Sequence, residues 1–322
     1  MCLCISKKSS APLSISPNFS SIFNKKNNKM DRRLALKTMT TTAAAAFVSE
    51  SLTTRIDATN AVLDTVTAGK INHAACRWCY ATIPLEEFCK RGKEIGLVGV
   101  DLLNLEEVPT AQKYDLTCSM VNFNLKGYGI SKGFNRIENH KDLIEYYEDA
   151  LPKAAKLGLK NFICFSGNRA GLSDEQGLAN SVIGLKKIMI LAEKLKITVC
   201  MELLNSKIDH KDYQCDNSNW GTALVKSVGS DSFKLLYDIY HMQIMEGDII
   251  RNIRDNQACI AHYHTGGVPG RNEIDDSQEL YYPTIMKAIA DTGYKGFVAQ
   301  EFIPKNVDKL AALDKCVKIC NI

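Results

Sequence analysis

What this chain of 322 residues lacks narrows its role before any motif is considered. No run approaches the roughly 20 consecutive apolar residues that a bilayer span needs, so no membrane span is expected. Lysine and arginine exceed the acids by a net charge of only +4, and the first forty residues supply part of that excess. Such a mild balance implies no basic face for nucleic acid. The residues after the first strand candidate are Arg77, Trp78, Cys79 and Tyr80, not a glycine-rich turn, and no P-loop occurs anywhere. Dinucleotide and nucleoside triphosphate sites of the usual kind are thereby excluded. Twelve cysteines are dilute at this length, and Cys164, Cys200 and Cys259 fall inside strand or helix candidates, where cysteine packs as a small hydrophobe. The single Cys-x-x-Cys, Cys76 and Cys79, closes a strand, whereas a thioredoxin-like redox pair opens a helix.

What is present is a globular composition, 45% hydrophobic and 24% charged, with enough length for one large α/β domain. Residues 1–29 are rich in Ser, Asn and Lys without hydrophobic period and are expected to be disordered, or to lie upstream of a start at Met30. From Met30 the text changes: Arg32 and Arg33 precede an alanine-rich, weakly apolar run. This pattern resembles a twin-arginine export signal, so residues 1–60 are expected to be a leader and the mature protein periplasmic or exported; a cytoplasmic protein with an amphipathic tail is the alternative.

Over residues 61–322 strand and helix alternate regularly. Strands are expected at 70–76, 97–103, 115–121, 159–165, 197–202, 233–238, 258–264 and 296–301. Helices are expected at 84–96, 106–112, 139–158, 174–195, 220–228, 248–256, 278–292 and 306–320. Continuously apolar strands separated by helices imply a parallel sheet covered by helices, and eight units in this length predict a single (β/α)8 TIM barrel.

In such a barrel the working face lies at the carboxyl ends of the strands. The run IAHYHTGGVPGRNE, residues 260–273, delivers two histidines and breaks at once into glycine and proline. His262 and His264 are two apart and share a strand face. Three other strands end on an acid: CMELLN at Glu202, LLYDIYHMQ at Asp238 and FVAQEF at Glu301. Glu202, Asp238, His264 and Glu301 therefore converge. Three carboxylates brought together at neutral pH repel, and a divalent cation is the simplest way to neutralise them. Three oxygens and one imidazole suit Mg²⁺ or Mn²⁺, with Co²⁺ and Zn²⁺ also compatible.

With MELLNSK, YDIYHMQ, HYHTGGVPGRNE and QEF on the page, the chain resembles the xylose isomerase-like TIM barrels, and within them the hydroxypyruvate isomerase and ketose 3-epimerase branch. The resemblance implies that Glu202, Asp238, His264 and Glu301 hold the metal and that Glu202 and Glu301 also move a proton. It implies that His241 and Arg271 hold substrate oxygens. The corresponding reaction is isomerisation of a small hydroxy carbonyl compound, with hydroxypyruvate and tartronate semialdehyde as the pair.

His241 is placed in a loop past strand six, where it donates to a hydroxyl or serves as a cap. Arg271, in a loop over the mouth, is suited to clasp a carboxylate or to form a surface ion pair. His210 is placed at the entrance, and His262 one pleat below His264 as an inner donor of the substrate-binding shell. Ketose epimerases carry a glutamate six residues beyond the first ligand; here that position is Ile208, which favours the hydroxypyruvate isomerase side. Two other readings compete. A phosphodiesterase on the same barrel needs more than the six histidines present and a basic groove. An exported, non-catalytic sugar-binding protein has no use for a pair of proton-moving glutamates. The partner implied is a small molecule, without nucleic acid; homo-oligomer formation is left open.

Overall fold

Short apolar runs of four to six residues, each followed by a polar break and an amphipathic stretch, fold here as parallel strands with helical crossovers. The structure, a computed structural model, describes residues 71–322. The expected leader, residues 1–60 with Arg32 and Arg33, lies outside the described residues. The strands are β1 (Asn72–Cys76), β2 (Gly99–Leu103), β3 (Thr117–Val121), β4 (Asn161–Cys164), β5 (Thr198–Glu202), β6 (Phe233–Asp238), β7 (Ile260–Thr265) and β8 (Phe297–Gln300). They close in sequence order, β8 pairing with β1, into the expected eight-stranded barrel.

The helices outside it are α1 (Leu85–Ile95), α2 (Val108–Gln112), α3 (His140–Lys156), α4 (Asp174–Leu195), α5 (Ser218–Val228), α6 (Ile239–Met245), α7 (Ile249–Asn256), α8 (Tyr282–Asp291) and α9 (Lys309–Cys320). Their ends carry local signals. Gly96 ends α1 in the left-handed region, φ 99°, where its N–H reaches back to the Gly92 and Lys93 carbonyls. Ser173 starts α4 by accepting from the Gln176 N–H, and Asp308 starts α9 by accepting from Ala311.

Several boundaries differ from expectation for identifiable reasons. The helix expected from 278 begins at Tyr282, because the Gln278 amide is committed to a turn, donating to the Leu280 carbonyl at 2.5 Å and accepting its N–H at 2.7 Å. The helix expected from 306 begins after the Asp308 cap. The loop expected to carry His241 is instead the first turn of α6.

Two cores result. One lies between the strands and the helices; the other is a smaller cluster inside the barrel, Met120, Ile163, Cys200 and Leu236, with Ala261 packed against it. Strand residues two apart share a face. Cys200 and Leu236 pave the interior, so Glu202 and Asp238 stand one pleat above them at the carboxyl end, where the site forms. The ten cysteines of the described residues are all free, including Cys76 and Cys79. Among the described residues no helix is long and apolar enough to cross a membrane.

Candidate metal centre and active site

Strand register brings the four expected ligands together. Asp238 is the register partner of His264, and His264 that of Ala299, two residues before Glu301. Glu202 pairs with Leu236, two residues before Asp238. Each of Glu202, Asp238, His264 and Glu301 offers one ligand atom, all within 4.8 Å of one another, and all four residues are buried.

His264 is the hub. Its Nδ1 lies 2.6 Å from Glu301 Oε2 and 3.3 Å from Glu202 Oε1. Its Nε2 shares a hydrogen bond of 2.8 Å with Asp101 Oδ2 and lies 3.8 Å from Cys76 Sγ. Nδ1 nevertheless has no partner in hydrogen-bonding geometry, because both glutamate oxygens lie off the line of an N–H donor. A buried nitrogen facing carboxylate oxygens without bonding to them is what a ligand set offers a cation. The donors, three carboxylate oxygens and one imidazole nitrogen, fit a divalent ion such as Mg²⁺ or Mn²⁺.

In this structure the negative charge is met by Arg271. Its Nη2 donates to Glu301 Oε2 at 2.6 Å and to Asp238 Oδ2 at 3.3 Å. Its guanidinium sits between the rings of Trp78 and Tyr240, at 5.3 and 5.5 Å from their centroids. The expected clasp of a carboxylate thus forms on the protein's own acids. Burial pushes the Asp238 carboxyl up to about 8 against the opposing pull of Arg271. For Glu301 burial is outweighed by Arg271 and His264, which hold its carboxyl well below the usual range. Glu202 is raised, by burial and then by the nearby Glu301 charge, although the neighbouring His264 opposes both. Burial lowers His264, but Glu301, Cys76 and Asp101 together raise it well above the ordinary imidazole value.

His241 is fully buried at the start of α6. The Asp238 side chain caps that helix, accepting from the Tyr240 and His241 N–H groups at 2.8 and 3.2 Å. Asn205 Nδ2 contacts His241 Nδ1 at 2.7 Å; assigned as a donor there, it puts the imidazole proton on Nε2. That Nε2 is buried without a hydrogen-bond partner, 3.6 Å from Asp238 Oδ2. Burial, then Arg271, keeps the ring neutral by lowering its pKa well below the ordinary value. His210 lies half-buried against the His241 ring, 5.2 Å between centroids, on the rim of the mouth.

His262 lies deeper. It is fully buried one pleat below His264, and its Nε2 lies 3.1 Å from Asp101 Oδ1. This is the inner position expected of it, where it faces Asp101 below the cluster.

Asp101 itself escaped the sequence reading, although a lone acid inside the apolar run LVGVDLL was a visible signal. Burial raises its carboxyl, but His262 and His264 outweigh that and hold it well below the usual range; Ser119 also donates to it. A carboxylate on the far nitrogen fixes the orientation of a ligating histidine. Trp78 was missed too: its indole N–H donates to Glu301 Oε1 at 2.8 Å over the seam where β1 pairs with β8, which no local pattern reveals.

A profile of the xylose isomerase-like TIM barrel family matches residues 106–315. The putative hydroxypyruvate isomerase of Homo sapiens is 35% identical over 105 residues, 33% of this chain and 38% of that protein. The 2-oxo-tetronate isomerase of Cupriavidus necator is 35% identical over 109 residues, 34% of this chain and 41% of its own length. The hydroxypyruvate isomerase of Escherichia coli is 31% identical over 157 residues, 48% of this chain and 60% of its own. The matched stretches thus span between 38 and 60% of these three relatives. Among solved structures, one described as an AP endonuclease, family 2, from Brucella melitensis superposes with a TM-score of 0.68 at 22% identity, covering 76% of this chain and 96% of its own. A D-psicose 3-epimerase from Clostridium cellulolyticum gives 0.62 at 19% identity, covering 78% and 100%. At such identities these two structures speak for the fold alone. Profile, closed barrel and strand-end constellation agree, and the chain belongs to the xylose isomerase-like TIM barrel family.

Proposed function

We propose that the protein is a metal-dependent isomerase of a small hydroxy carbonyl compound, of the hydroxypyruvate isomerase kind. The observation that carries this reading is the meeting of two glutamates in one buried cluster: Glu202 Oε1 and Glu301 Oε2 both face His264 Nδ1, at 3.3 and 2.6 Å. A binding protein needs a cation site but no second carboxylate able to take and return a proton. The relatives named hydroxypyruvate isomerase and 2-oxo-tetronate isomerase support proton transfer within a hydroxy carbonyl compound.

Glu202, Asp238, His264 and Glu301 would hold the cation, and Asp101 would fix His264 from behind. A divalent ion there would supply positive charge that acidifies the C–H beside the substrate carbonyl. Glu202 and Glu301 come from β5 and from the end of β8, so they reach a bound molecule from different sides. One carboxylate takes the carbon-bound proton and the other returns a proton, to the neighbouring carbon in an isomerisation or to the opposite face in an epimerisation. The His241 Nε2–H, lacking a partner, would donate to a substrate oxygen. Arg271 can serve a second oxygen once its carboxylate partners are otherwise neutralised. Hydrogen exchange into hydroxypyruvate and a panel of ketoses and aldoses in D₂O, followed by NMR with Mg²⁺ or Mn²⁺ supplied, tests the reading. Incorporation of deuterium at the carbon beside the carbonyl is expected. Tight binding of a hydroxy carbonyl compound without any exchange would replace the isomerase by a binding protein.

A further inference from the structure

The mouth above Arg271 does not look like a socket for a polyhydroxylated chain. A cavity of about 500 Å³ opens there, lined by Ile208, Ile244, Val268, Pro269 and Ile303, with the Tyr240 ring as one wall and Arg271 as its floor. That is far more room than a three-carbon acid fills. Arg271 in turn donates to Asp238 and Glu301, so the cavity is separated by this one side chain from the cluster that would hold the hydroxy carbonyl head.

Two of the polar groups on the rim, Asp209 and the Tyr240 hydroxyl, are already engaged with each other, and only Arg271 Nε among the cavity's buried side-chain atoms lacks a partner. Asp209 Oδ2 accepts from Asn205 Nδ2 at 2.6 Å and from the Tyr240 hydroxyl at 2.9 Å. The Asn205 side-chain oxygen accepts from the Ile208 and Asp209 backbone N–H groups. His210 remains at the edge, its pKa lowered by burial and then by Arg271, so it is a neutral group. Sugar hydroxyls entering this space would give up water for few new partners, and each unmet group costs binding energy. Hydrocarbon entering it would cover apolar surface, with Ile208 itself 63% exposed. Burial of one methylene is worth roughly a fourfold gain in affinity.

We infer that the substrate carries a hydrocarbon substituent, alkyl or aryl, on its hydroxy carbonyl head, and that the Ile208–Ile244–Ile303 cavity selects it over a polyol tail. This deepens the isomerase reading and rests on it for the position of the head group.

The test compares a hydroxymethyl ketone bearing a plain alkyl tail with the ketose of the same carbon number. Binding is measured by calorimetry with Mn²⁺ supplied, and hydrogen exchange in D₂O is followed in parallel samples. The alkyl ketone is expected to bind at least about tenfold more tightly than the ketose once several methylenes are covered. Ile208→Gln, at a side chain too exposed to endanger the fold, is expected to shrink that ratio severalfold, whereas Ile208→Ala should lower both affinities modestly and keep the preference. Equal binding of the two tails, or a ratio untouched by Ile208→Gln, overturns the inference. Exchange on both ketones without a preference leaves the isomerase reading standing and removes this one. Preference without exchange keeps the cavity's selectivity and removes the reaction. Failure of every hydroxy carbonyl compound to bind removes both.

Discussion

Arg271 Nη2 donates to Glu301 Oε2 at 2.6 Å and to Asp238 Oδ2 at 3.3 Å, so two of the four oxygens and nitrogens expected to hold a metal already hold a cation of the protein's own. The guanidinium and a divalent ion then compete for the same carboxylates. Arg271→Gln should lower the melting temperature of metal-free protein, because buried carboxylates lose their counter-charge, a loss on the order of 3 kcal/mol. It should also raise the affinity for Mn²⁺ by about tenfold or more, since a like charge leaves the site. Calorimetric titration reads the second effect. The indole of Trp78, one of only two tryptophans in the chain, reports locally because it touches both Arg271 and Glu301. A weaker affinity in Arg271→Gln would mean that the guanidinium organises the metal site and does not compete for it.

Asp101→Asn keeps the shape beneath His264 and removes the charge that orients it. The loss of metal affinity should be roughly 10- to 100-fold, the range for damage to the outer shell of a metal site. Elemental analysis of purified protein and NMR of the His264 ring protons check this. An unchanged ring and unchanged metal content would show that Asp101 balances His262 only.

Replacing Glu301 by Gln leaves an oxygen to offer the cation but removes the ability to accept a proton. The amide has one oxygen to place, so turning it toward the cation costs the hydrogen bond from the Trp78 indole. Ligand binding should persist while carbon-bound hydrogen exchange falls roughly 100- to 10,000-fold. Exchange at the original rate would place the proton transfer on another group.

His73 enters β1 at the opposite end of the barrel, 4% exposed, and burial lowers its pKa from 6.5 to about 4, only partly offset by the Asn321 side chain. Because the folded value is the depressed one, the unfolded chain binds a proton first. Stability is therefore full above about pH 6.5, falls as pH drops toward 4, and levels below it. The loss across that window is on the order of 3 kcal/mol. Urea titrations of the protein and of His73→Gln at pH 7 and pH 4.5 should show a steeper acid loss in the unmodified chain. Parallel pH dependence in the two proteins would remove His73 as the cause.

The barrel and the four converging strand ends were legible in the sequence because they rest on local rules. A strand-helix period fixes the count of units, and a side-chain period of two fixes which acids point inward. Glu202, Asp238, His264 and Glu301 needed nothing more than those periods and the closure that eight units impose. What tertiary structure alone decided is which groups from different strand ends meet. Asp101 beneath His264, Trp78 on Glu301 and Asn205 on His241 are contacts between residues 163, 223 and 36 positions apart, set by closure and by loop paths that no short window encodes. The same holds for Arg271, whose place in a glycine-rich loop was visible, but whose ion pairs with the very acids it was expected to leave for substrate and metal depend on how that loop folds back over the barrel mouth. For His262 the pleat gave both face and depth, but its neighbour Asp101, 161 positions away, came only with the closed barrel.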